Sequence, residues 1–119
     1  MPVIKTWCLP RVGETKLNAL HQALVQAVKS VPELGVKTER DITCLFPSDM
    51  MKYGLGTEII IEVTSLYEKP ERTEEVRGRL AQALVDAVRA QFLDTDLIEC
   101  FVNSFNPAQG FATSRKDGA

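Results

Sequence analysis

The sequence is short of the residues that crosslinks and metal centres need. Its three cysteines, Cys8, Cys44 and Cys100, are odd in number, widely separated and without a Cys-x-x-Cys pair, which argues against both a disulfide framework and a zinc site. Three reduced thiols acting as small core residues are expected. There is one histidine, His21. It shares a helical face with Leu17, Leu24 and Val28, so a packed, structural histidine is expected there rather than a catalyst. No segment approaches the roughly 20 apolar residues of a membrane span, and the amino terminus lacks the basic leader and long apolar run of a secretory signal. A cytoplasmic location is the expectation. An excess of one charge is missing as well: 14 Lys and Arg stand against 16 Asp and Glu, a net charge of -2. That balance creates no general field for capturing nucleic acid or an anionic membrane, so anion binding has to be local.

The chain has 119 residues, 45% of them hydrophobic and 25% charged, which suits one domain with an adequate core. The strongest pattern is an internal repeat. Leu20-His21-Gln22-Ala23-Leu24-Val25-Gln26-Ala27-Val28 returns 60 residues later as Leu80-Ala81-Gln82-Ala83-Leu84-Val85-Asp86-Ala87-Val88, with two of nine positions changed. Both copies carry apolar residues at helical spacing, so each predicts an amphipathic helix with one buried stripe. The first is expected to stop near Pro32, because the residue before a proline is pushed out of the α region and Gly35 breaks what remains. The second is expected to start at Thr73 as N-cap, with Glu74 and Glu75 well placed against the helix dipole.

Strand-like runs bracket both helices: Pro2 to Cys8 and Asp41 to Phe46 around the first, Glu58 to Leu66 and Leu97 to Val102 around the second. This is βαβ written twice, and a crossover of helical length favours a parallel pair. The expected fold is α+β, with tandem βαβ units forming one four-stranded mixed sheet and two helices on one face. The first unit covers residues 1–56, the second 57–106, and residues 107–119 form a tail. Alternation in the third and fourth strands gives the sheet one apolar face and one mixed face. The mixed face carries Leu45, Ile60 and Phe101 with no helix left to cover it, which points to burial against other subunits.

Proline follows the initiator methionine directly at Pro2. Removing Met1 would turn Pro2 into a free secondary amine at the edge of a sheet, a rigid base without a side-chain functional group. A chain of this length with Pro2, doubled βαβ units, Pro10-Arg11 after the first strand and the stretch from Phe46-Pro47-Ser48 through Gly54-Leu55-Gly56-Thr57-Glu58 resembles the tautomerase superfamily. It is most similar to the macrophage migration inhibitory factor and 5-(carboxymethyl)-2-hydroxymuconate isomerase branches. The resemblance covers the organisation of residues 2–106. It implies a homotrimer, no metal or organic cofactor, and the amino-terminal proline as general base on a small-molecule keto or enol acid, making the protein an isomerase.

A base works best with a pKa near operating pH, and a proline amine is naturally too basic, so apolar burial and nearby cations are expected to disfavour its ammonium form. Lys37 and Arg40 lie where the resemblance implies a cationic substrate-binding residue, although an ungapped alignment through Pro47 puts Val36 at that position. Arg11 is a third candidate, since related tautomerases use an arginine after the first strand across a subunit boundary. A solvated surface role is the alternative for all three. Leu66 and Asn103 fall near positions where the resemblance implies backbone amides and a polar partner for the substrate. A second reading follows malonate semialdehyde decarboxylase of the same superfamily, with Arg72 and Lys69 before the second helix and Glu39 before the second strand. There Pro2 stays protonated and the carboxylate activates water or substrate. A third is a non-catalytic ligand-binding or signalling trimer.

Overall fold

The computed structural model describes residues 2–48 and 57–116. Its elements run β1 (Val3–Trp7), α1 (Glu14–Lys29), β2 (Thr43–Leu45), β3 (Glu58–Tyr67), α2 (Glu74–Gln91) and β4 (Leu97–Phe105), with 3-10 turns at Pro32–Leu34, Glu39–Asp41 and Pro107–Gln109. The four strands make one sheet in the order β2-β1-β3-β4. β1 pairs with β2 in parallel, β3 pairs with β4 in parallel, and the two halves join through antiparallel β1 and β3. Each helix connects a parallel pair, which is the doubled βαβ arrangement expected from the repeat.

Hydrophobic alternation decides which face the helices cover. Ile4 from β1 and Ile59, Ile61 and Val63 from β3 are fully buried beneath Leu20, Leu24 and Val28 of α1 and Leu80, Leu84 and Val88 of α2. The paired positions of the repeat thus fill equivalent places in the core. Burying each such side chain contributes on the order of 1.5–3 kcal/mol. The other face keeps the row Leu45, Lys5, Glu62 and Phe101 in register across all four strands, and both Leu45 and Phe101 are exposed. Among the described residues no helix is long and apolar enough to cross a membrane.

The helix boundaries follow local chemistry. α1 ends at Lys29, Val31 is extended before Pro32, and Gly35 takes the left-handed conformation at φ 69. Thr73 caps α2, its hydroxyl accepting from the amide of Val76 at 3.3 Å. Two strands differ from expectation by more than one residue at an end. The second is confined to Thr43–Leu45 because Thr38 and Asp41 form a capping box that winds Glu39–Asp41 into a 3-10 turn. The fourth runs on to Phe105, because an extra residue in β3 shifts the register between Val63 and Leu66. Ser65 sits in that bulge at φ 59, and the slip turns Leu66, rather than Ser65, into the core.

Candidate functional site

Pro2 is buried at the foot of β1, its carbonyl accepting from the amide of Thr43 at 3.0 Å. It lines a cavity of about 290 Å³ whose walls come from three stretches of chain: Leu34, Gly35 and Val36 after α1, Asp41 before β2, and Lys69, Glu71 and Arg72 before α2, with Arg115 of the tail closing one side. Met1 lies outside the described residues. The positive φ of Gly35 turns the chain back toward Pro2 where an L side chain would be strained.

The cavity is lined with charge of both signs: Lys69, Arg72 and Arg115 against Glu33, Asp41 and Glu71. Two of the carboxylates are engaged elsewhere. Glu33 pairs with Arg79, whose guanidinium holds the Glu33 carboxyl below its ordinary range, and Asp41 accepts from the amides of Lys37 and Thr38, each at 3.3 Å. Arg72 is only 8% exposed. Its Nη1 donates to the Tyr67 carbonyl at 2.8 Å and its Nη2 to the Leu34 carbonyl at 3.0 Å, while Nε is buried with no partner. A buried guanidinium bonded to two neutral carbonyls is not neutralised, and an unpaired buried donor costs about 1–3 kcal/mol. An anion entering beside Arg72 would offset its charge. Arg72 also braces the first unit against the second, because Leu34 and Tyr67 belong to different units.

The residues expected to form the site occupy different places. Pro2 lines the cavity. Lys37 and Arg40 have exposed side chains at its edge, and this stretch contributes Val36 and Asp41 to the lining. Glu39 is likewise exposed, within 3.5 Å of the amide group of Gln22. Arg11 is exposed beyond β1, Asn103 is exposed on the open face of β4, and the Leu66 side chain is in the core at 1% exposure. Of the quoted stretch from Phe46 to Glu58, residues 49–56 lie outside the described residues. Asp41 and Arg115 were not anticipated. The Thr-x-x-Asp signature at Thr38 and Asp41 could have marked the turn that holds Asp41, whereas nothing in the tail's pattern announces Arg115.

No family profile and no curated relative matches the sequence. Solved structures do match the fold. A fused 4-OT, solved as a symmetric trimer, is 17% identical over 87% of this chain and 85% of its own, with a TM-score of 0.64. Malonate semialdehyde decarboxylase, whose structures were solved to explain decarboxylase and hydratase activities, is 17% identical over 96% of this chain and 92% of its own, with a TM-score of 0.64. A protein called Pt0534, inactivated by 2-oxo-3-pentynoate, is 17% identical over 98% of this chain and 93% of its own, with a TM-score of 0.66. The chain therefore has the fold of the tautomerase superfamily.

Proposed function

We propose that the protein is a tautomerase-superfamily enzyme acting as a homotrimer on a small carboxylate-bearing keto or enol acid, with Pro2 as its general base after removal of Met1. The observation that carries this reading is the burial of Pro2 in a cavity it shares with Arg72, a buried guanidinium with a donor left unpartnered. In the reaction the neutral amine of Pro2 takes the proton of the enol hydroxyl, the oxygen becomes the carbonyl, and the carbon of the former double bond receives a proton from the resulting ammonium. Amine, proton and electron pair are all restored at the end. Lys69 and Arg72 lower the amine's pKa, since a nearby positive charge disfavours a second one. Lys37 and Arg40 guide the anion at the rim, and Arg11, Asn103 and the backbone around Leu66 contribute at the subunit boundary of the trimer.

A second reading rests on Asp41, a residue of the same cavity lining as Pro2 whose carboxylate also accepts from the Lys37 and Thr38 amides. A carboxylate there favours the protonated amine, which suits hydration or decarboxylation. The pH profile separates the two. For proton abstraction by neutral Pro2, kcat/KM for conversion of phenylenolpyruvate to its keto form rises as pH passes upward through the amine pKa. Protein with Met1 retained is expected to give the same circular dichroism and almost no turnover. Equal activity with and without Met1 would sink the amine mechanism, and a rate that falls with rising pH would favour the Asp41 reading.

A further inference from the structure

The tail after β4 brings a cation to the cavity, and its path explains how. Asn106 accepts from the amide of Ala108 at 3.0 Å to start the turn Pro107–Gln109, and Gly110, at φ 141, reverses the chain. Phe111 then packs edge-on against Tyr67 with ring centroids 5.3 Å apart and lies 6.4 Å from Phe105. Four residues further on, Arg115 lines both the Pro2 cavity and a neighbouring one of about 530 Å³ bordered by Val3, Ser65, Tyr67 and Phe111.

Arg115 differs from Arg72, the other arginine of the cavity lining, and from the arginines of α2 in having its charge uncommitted. Arg72 is bonded to two carbonyls, Arg77 donates to the carbonyl of Arg72, Arg79 pairs with Glu33, and Arg89 donates to carbonyls at the end of α2. Among the described residues, Arg115 has no hydrogen-bond or ion-pair partner. A guanidinium at a cavity mouth presents a planar fork matched to both oxygens of a carboxylate, which the point charge of Lys69 lacks.

We propose that Arg115 binds the substrate carboxylate at the mouth of the Pro2 cavity, and that the Tyr67, Phe105 and Phe111 rings act as a latch that positions it. This rests on the reading of that cavity as the substrate site. The latch is shallow, since Phe111 remains 50% exposed, so loosening it need not disturb the core. Phe111 is accordingly a positioning residue.

The test combines kinetics with binding of trans-cinnamate, a carboxylate that cannot enolise. Arg115→Gln is expected to raise both KM for phenylenolpyruvate and Kd for cinnamate by about tenfold or more, the range of a lost charge-assisted contact, while kcat falls less than KM rises. Arg115→Lys should recover part of the loss. Phe111→Ala should raise KM with unchanged circular dichroism, and Phe111→Tyr should restore it. Unchanged KM and Kd in Arg115→Gln overturn the proposal while leaving the Pro2 mechanism standing. Arg115-dependent cinnamate binding without turnover upholds the anion site and removes the proton-transfer reading. Wild-type protein that binds no cinnamate overturns the proposal.

Discussion

Burial on the helix side of the sheet changes the chemistry of two thiols. Desolvation pushes Cys44 up to about 11 and Cys100 up to about 12, because burial disfavours the charged thiolate. At pH 8 the thiolate fraction of Cys44 is then about one in a thousand, and thiolate is the reactive form. Folded protein is expected to react with Ellman's reagent at these two positions far more slowly than urea-unfolded protein, and equal rates would contradict the packing. The same shifts act on stability. A raised folded pKa means the contribution is fully present below the ordinary thiol pKa and is lost as pH rises toward 11 to 12. Alkaline unfolding is therefore expected to begin above about pH 9.

At the scale of elements, the two helices of the repeat differ at their first residues. Thr73 caps α2 with its side chain, whereas Gly13, 60 residues earlier, begins α1 with no side-chain cap. α2 carries its own weakness in Gly78, an exposed interior position where an added Cβ would meet nothing within 4 Å. Glycine in a helix interior is less favourable than alanine by about 0.5–1 kcal/mol. Gly78→Ala is expected to raise stability by that amount in urea denaturation without changing activity. A loss of stability would mean that the α2 surface is engaged by another part of the assembly.

For the whole molecule, the open face of the sheet is the feature that a single chain leaves unresolved. Leu45 is 45% exposed and Phe101 52%, on strands at opposite edges of the sheet. Trp7 and Glu62 partly satisfy the face from within, the indole nitrogen donating to the carboxylate at 2.6 Å. Apolar surface spread across a sheet face is a signature of association. Light scattering at micromolar concentration is expected to give the mass of three chains, and Phe101→Glu to reduce it. A monomeric wild-type protein would remove both the trimer and any role for Arg11 and Asn103 across a subunit boundary.

The sequence by itself determined the elements and their order. The helical repeat at Leu20 and Leu80, Thr73 as a cap and alternation through Ile59, Ile61 and Val63 are encoded in nearest-neighbour chemistry, so a linear reading recovers them and the side each buries. Tertiary structure decided what surrounds Pro2. The turn at Glu39–Asp41 swings Asp41 into the cavity lining and leaves the Lys37 and Arg40 side chains exposed, a choice made by one capping box. Arg72 reads in sequence as part of a charged approach to α2, yet it is buried because Leu34, 38 residues away, offers a carbonyl. Arg115 lines the site four residues after Phe111 packs against Tyr67. Periodicity records which side of an element is buried, but it holds no information about which distant segments meet at its end, and the site is built from such ends.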